Sequence, residues 1–209
     1  MRPDRIPPLH AVTDDEVAAR GDFLARAGEV LAAGGRDVAL HLRAPGMAGA
    51  RMFDLAERLR KMARASGSLL IVNDRVDVAM AAGADGVQLG ARSLAVADAR
   101  RIAAEMQIIG ASVHSLDEAR RAMEDGADWL LAGTIYATAS HPGRGGAGIG
   151  LIEEIAALGR PVIAIGGVTP ARVPELRRAG AAGIAAIRGI WNDPSPGEAT
   201  RRYIDAWQS

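Results

Sequence analysis

Short apolar runs, each closed by glycine or a polar residue, alternate along this chain with longer stretches whose apolar positions recur at helical spacing. The runs are too short for helices and rich in β-branched residues, which predicts strands buried on both faces. They lie at Leu9 to Val12, Val38 to Leu42, Leu69 to Val72, Gly86 to Leu89, Ile108 to Val113, Trp129 to Ala132, Val162 to Ile165 and Gly183 to Ile187. Between them the spacing predicts helices over Phe23 to Ala33, Met52 to Ala65, Val76 to Ala82, Val96 to Met106 and Ile152 to Leu158, with an amphipathic Pro196 to Trp207 at the end. Ser115 with Glu118 three residues on reads as a capping box, and Gly126 stops the helix that follows it. Thr169 offers an N-cap oxygen ahead of Pro170 at the first helical position, and Gly180 closes that helix. A further short helix starts near Gly189.

Strand and helix alternate with few exceptions, which argues for a parallel α/β fold. A closed barrel suits so regular a series better than an open sheet and accounts for strands that are apolar on both sides. The segments AAGADGVQLG, EDGADWLLAG and RAGAAGIAAI share one pattern of helix end, Gly-Ala, small residue and strand, as a barrel built from similar units would. The expectation is a single-domain (β/α)8 TIM barrel spanning residues 1–209.

In such a barrel function lies at the C-terminal ends of the strands. The polar residues landing there are Thr13, Asp14, Arg43, Asn73, Asp74, Gln88, His114, Thr138, Ser140, His141 and Arg188. Thr13 and Asp14 read as caps of the first helix; Asp74 reads equally as a cap or a ligand, and Asp77 as a solvent-facing helix residue. His10 and His41 lie inside strands and read as interior residues. His114 is the first polar residue after a buried strand, where an imidazole can exchange protons near neutral pH, or simply be satisfied structurally. Arg43 and Arg188 suit anions, and Arg144, in the Gly-rich loop Gly133 to Gly150, either closes over a ligand or is exposed. Gly166-Gly167 bares backbone N–H groups after the seventh strand, and Ile187-Arg188 opens the helix after the eighth. Together they read as a phosphate site.

Composition narrows the partners. The formal net charge of zero gives no electrostatic case for nucleic acid or an anionic membrane. There is no cysteine, hence no disulfide framework, thiol nucleophile or thiolate metal site. No apolar run is long enough to span a bilayer, and MRPDRIPPLHAV lacks the apolar segment of a signal peptide. A cytoplasmic protein is expected, binding a small molecule, with homo-oligomers possible.

The stretches LHAVTDD, VALHLRAP, LIVNDRVDVAMAAGADGVQLG, IIGASVHSLDEARRAMEDGADWLLAG and PVIAIGGVTPARVPELRRAGAAGIAAIRGI resemble, in order and from end to end, the thiamin phosphate synthase superfamily. The resemblance implies a barrel binding thiazole phosphate, with the phosphate on Gly166, Gly167, Ile187 and Arg188. It also implies substrate contacts from Arg43, Asn73, Thr138, Ser140 and Arg144. The departures bear on the reaction. The synthase Arg-x-Lys is Arg43-Ala44-Pro45 here, its metal-binding Asp falls at Ser93, and the Lys of its TPTK motif falls at His141; a serine common in the superfamily is Arg188. The loop TIYATASHPGRGGAGIGLI resembles thiazole tautomerases instead. The resemblance therefore implies a thiazole tautomerase, an isomerase with His114 shuttling the proton, no metal ligand and no cofactor. Its alternatives are a divergent synthase joining pyrimidine pyrophosphate to thiazole phosphate, and a non-catalytic phosphate binder.

Overall fold

A computed structural model describes residues 6–106, 108–137 and 146–209. Eight parallel strands close into a barrel in chain order: β1 (Leu9–Val12), β2 (Val38–Leu42), β3 (Leu69–Asn73), β4 (Gly86–Leu89), β5 (Ile108–Val113), β6 (Trp129–Gly133), β7 (Val162–Ile165) and β8 (Gly183–Ala186), with β8 pairing back onto β1. The TIM-barrel expectation holds, and the strands lie within a residue of where the apolar runs place them.

Around the barrel run α1 (Asp15–Ala19), α2 (Phe23–Gly34), α3 (Gly49–Ser66), α4 (Val76–Ala81), α5 (Val96–Ile102), α6 (Leu116–Glu124), α7 (Gly150–Ala156), α8 (Val173–Arg178), α9 (Arg188–Trp191) and α10 (Pro196–Gln208). The five-residue α1 lacks a pattern to announce it; the Asp14 carboxylate caps it by accepting from Val17 N–H at 2.8 Å. Ser115 caps α6 as expected, accepting from Glu118 N–H at 3.2 Å. Thr169 does not cap: Pro170–Arg172 is a 3-10 turn and α8 starts only at Val173. The helix expected to reach Met106 stops at Ile102.

Two apolar layers result. One lies between strands and helices; the other fills the barrel with Val12, Ala39, Ile71, Ile108, Trp129, Leu131, Ile163 and Ala185. The repeated Gly-Ala-Asp now has a physical role. Asp85 N–H donates to Leu70 O at 2.9 Å while its carboxylate accepts from Leu70 N–H at 2.8 Å and pairs with Arg60. Asp128 does the same with Ile109 at 2.8 Å for each bond, and pairs with Arg100. In the third copy Ala182 stands in the Asp position and keeps only the backbone half, donating to Val162 O at 2.8 Å. These latches sit at the N-terminal ends of the strands, the face that serves stability.

Candidate functional site

Among the described residues, the C-terminal mouth gathers predicted positions from several strands of the barrel. Thr13 is no helix cap. Its hydroxyl donates to Arg43 O at 2.9 Å and accepts from Arg43 N–H at 2.8 Å, so β1 fixes the backbone from which the Arg43 side chain leaves β2. Asp74 is no cap either. It holds φ 65, a left-handed turn that aspartate tolerates better than most residues. Its Oδ1 accepts from Gly90 N–H at 3.1 Å and from the Ser93 hydroxyl, which in turn accepts from Gly90 N–H at 2.9 Å. Asp77 lies on the exposed face of α4, paired with Arg75, whose side-chain hydrogen bonds hold its pKa down.

The glycine pair has the backbone conformation its position requires. Gly166 and Gly167 take φ 100 and 64 at the end of β7. Arg172 donates to Gly167 O at 2.6 Å and lies over the Tyr136 ring at 4.1 Å, while the Tyr136 hydroxyl bonds Glu175. Burial first, and Glu175 second, push the Tyr136 hydroxyl pKa upward. The turn after β8 is tied in from below. Gly189 leaves room for Tyr203, whose hydroxyl donates to Val168 O at 3.0 Å. Desolvation pushes the Tyr203 pKa up to about 12, so it stays a donor. No sequence pattern signals the contact of Tyr136 with Arg172 or that of Tyr203 with Val168; each pair meets only on folding.

His114 follows β5 at the mouth. Its backbone N–H donates to Glu118 at 2.7 Å, completing the α6 capping box, and its Nδ1 bonds the Gly133 carbonyl at the end of β6. A carbonyl only accepts, so Nδ1 carries a proton. The residue is exposed on the rim. Asn73, Gly166, Gly167, Ile187 and Arg188 lie at the mouth with Arg43 and Asp74. Thr138, Ser140, His141 and Arg144 lie outside the described residues.

Beneath the mouth the barrel interior is polar in a way the sequence only hints at. Trp129 Nε1–H donates to Gln88 Oε1 at 2.8 Å, and Gln88 Nε2–H donates to Ser112 Oγ at 3.1 Å. His10 Nδ1 and His41 Nε2 share a bond of 2.8 Å, and the Trp129 indole meets the His10 ring edge to face at 5.0 Å. The interior reading of both histidines holds. Desolvation, then the neighbouring His41, lowers the His10 pKa well below its usual value; desolvation lowers that of His41 to about 4. The stability consequence follows by linkage. The unfolded chain protonates His41 near pH 6.5, whereas the folded chain refuses the proton until about 4. The unfolded state thus binds more protons across that window, and stability falls as pH drops through it. At about 1.4 kcal/mol per pKa unit the loss is about 3 kcal/mol for His41. Denaturant midpoints from pH 7 to 4 should fall steeply for the native chain and less so for His41→Gln; equal slopes would remove the histidine as the cause.

At the mouth the Asp74 carboxylate is the one set beside the Gly90 turn, and one of its oxygens already accepts two bonds. Among the described residues no group of three or more His, Cys, Asp or Glu could hold a metal. Magnesium is commonly held by one or two carboxylates plus substrate phosphates, so this donor set fits it only together with a phosphorylated substrate.

The thiamine monophosphate synthase family profile matches residues 9–190. A thiamine-phosphate synthase of Methanoculleus marisnigri is 41% identical across 94% of this chain and 93% of its own length. A putative thiamine-phosphate synthase of Geobacter sulfurreducens is 39% identical over 94% and 92% of the two chains. Among solved structures, a thiamine phosphate pyrophosphorylase from Pyrococcus furiosus superposes with a TM-score of 0.85 at 31% identity, covering 97% of this chain and 96% of its own.

Proposed function

The chain belongs to the thiamine monophosphate synthase family, and from that premise we propose that it is a thiamine-phosphate synthase, a transferase. The isomerase expectation is corrected: relatives alike along nearly the whole chain carry the synthase name. That expectation weighs single positions, Pro45, Ser93 and His141, above the rest of the mouth. The observation that carries the present reading is the 41% identity over 94% of the chain.

The net reaction joins the thiazole nitrogen to the pyrimidine methylene carbon as the carbon–oxygen bond to pyrophosphate breaks, with pyrophosphate leaving on that electron pair. The chain's part is to hold two anionic substrates in line and to steady the leaving group. Gly166, Gly167, Ile187 and Arg188 are proposed for the thiazole phosphate, on the strength of bare turns at the ends of β7 and β8. Arg43, with its backbone fixed by Thr13, is proposed for the pyrophosphate, and Asn73 for the pyrimidine side of the mouth. Thr138, Ser140 and Arg144 are proposed substrate contacts from the loop outside the described residues. Asp74 would hold magnesium, which when bound neutralises charge on the leaving pyrophosphate. The metal-free expectation belongs to the tautomerase and lapses with it. His114, its Nδ1 committed to Gly133 O, is proposed as a rim residue whose Nε2 is left to meet substrate.

The assay is formation of thiamin phosphate from the pyrimidine pyrophosphate and thiazole phosphate, expected to proceed with magnesium and to stop with EDTA. Ser93→Asp adds a second carboxylate beside Asp74 and is expected to lower the magnesium concentration for half-activity by roughly tenfold, about one charge-assisted contact. No product at any magnesium concentration, from chain shown to be folded, would overturn the synthase reading.

A further inference from the structure

Both carbonyls of the glycine pair are held, and one residue stands behind both bonds. Gly166 O accepts from Tyr136 N–H at 3.0 Å. Gly167 O accepts from Arg172 Nη1 at 2.6 Å, and the Arg172 guanidinium lies 4.1 Å from the centre of the Tyr136 ring. Tyr136 thus holds the first carbonyl with its backbone, and its ring seats the arginine that holds the second. Glu175, on α8 one turn beyond Arg172, takes the Tyr136 hydroxyl, so the ring is gripped at its face by one residue and at its tip by the other. Residue and turn are in close contact: a Cβ at Gly167 would lie 2.9 Å from Tyr136 Cβ.

We propose that Arg172 and Tyr136 are positioning residues for the phosphate of the thiazole substrate: by holding the Gly166 and Gly167 carbonyls they aim the N–H groups of Gly167 and Val168. The proposal rests on the reading that places this phosphate at Gly166-Gly167. The physical reason is peptide planarity. In a trans peptide the N–H of a residue points opposite to the carbonyl before it. Strand β7 lies between β6 and β8. With Gly166 O turned to Tyr136, on the β6 side, Gly167 N–H points away from β6, toward the end of β8. With Gly167 O turned to Arg172, in the 3-10 turn that leads into α8, Val168 N–H points away from that turn. Neither N–H donates to another described residue. Successive backbone N–H groups in such a turn form a concavity that suits an anion. Two glycines in sequence have wide conformational freedom, so the direction of these donors depends on what holds the carbonyls behind them.

The test uses the full chain labelled with ¹⁵N, inorganic phosphate as the probe and the amide resonances of Gly167 and Val168 as the readout. Both amide protons are expected to move downfield as phosphate is added to the native chain. Arg172→Met keeps a long stem but has no donor. In that variant the Val168 response is expected to be lost, while the Gly167 response persists, because Tyr136 N–H still holds Gly166 O. Arg172→Lys restores a donor without the planar group that stacks on the ring, and is expected to recover part of the Val168 response. Tyr136→Leu removes the seat and keeps the backbone bond, so it should act as Arg172→Met does. Arg172 and Tyr136 are only partly buried, and the variants are expected to fold. A general loosening of the structure would move both amides together, which separates a structural role from the one proposed.

In the synthase assay Arg172→Met should raise KM for thiazole phosphate on the order of tenfold, about one charge-assisted hydrogen bond, with kcat and the KM for the pyrimidine pyrophosphate little changed. A Val168 amide indifferent to phosphate in the native chain, or one that responds equally in Arg172→Met, would overturn the proposal. The amide shifts are read without turnover, so their failure is distinct from a failure of the synthase reading, which shows as no product from the native chain.

Discussion

Gly167→Val is expected to reduce kcat/KM for thiazole phosphate on the order of 10²-fold while leaving the barrel's circular dichroism nearly unchanged. Gly167 takes φ 64, where a β-branched residue costs about 1–3 kcal/mol. A Cβ there would lie 2.9 Å from Tyr136 Cβ and 3.0 Å from Ala137 O, so the loop after β6 must give way as the turn does. The bond from Arg172 to Gly167 O holds this turn in place from the other side. Under the proposed assignment the bare backbone at Gly166-Gly167 meets the phosphate. Each hydrogen bond to a charged group is worth roughly 1.5–3 kcal/mol, so losing one or two gives the stated factor. The measurement is steady-state kinetics with each substrate varied in turn. The loss should appear with thiazole phosphate varied and be small with the pyrimidine substrate varied. An unchanged kcat/KM in a folded variant would move the phosphate site elsewhere.

Gly110→Ala should cost the fold about 2–6 kcal/mol, against a total stability of about 5–15 kcal/mol for a domain. The reason is space. A Cβ at Gly110 would sit 2.0 Å from Trp129 Nε1, 2.2 Å from Gln88 Oε1 and 2.5 Å from Trp129 Cδ1. Trp129 and Gln88 are wholly buried in the barrel, so neither has solvent to retreat into. Overpacking contributes about 1–3 kcal/mol, and breaking the indole–amide bond leaves buried polar groups unpaired for about 1–3 more. Urea midpoints give the value, and Trp129→Leu in the same chain should recover part of it by vacating the space. A Gly110→Ala midpoint equal to the native one would show that the indole has room the contacts deny it.

Much of the site is legible in the sequence because in a barrel the chain position of a residue at a strand's end is also its position in space. Arg43, Asn73, Gly166, Gly167, Ile187 and Arg188 lie at or just beyond the ends of apolar runs, and the alternation of runs alone brings them to one face. His114 shows the limit. It does follow β5, yet the ring turns to the Gly133 carbonyl, 19 residues away in sequence, on a strand whose register the pattern does not reveal. Ser93 shows another. Read alone it is a missing carboxylate; folded, it bonds Asp74 and shapes what that carboxylate can still do.

By itself the sequence determined the elements, their order, the closed parallel barrel and the face on which chemistry would gather. Those follow from local quantities: apolar period, β-branching, and glycines where the backbone must turn. The tertiary structure alone decided the pairings: Thr13 with Arg43, Asp74 with Ser93 and Gly90, Tyr136 with Arg172, and His10 with His41. Most of these join residues on different strands or loops. They are set by register and by how side chains share the barrel interior, and hydrogen-bond polarity is then fixed by which partner can only donate or only accept. No local pattern encodes that, because a histidine inside an apolar run looks the same whether its neighbour across the barrel is leucine or another histidine.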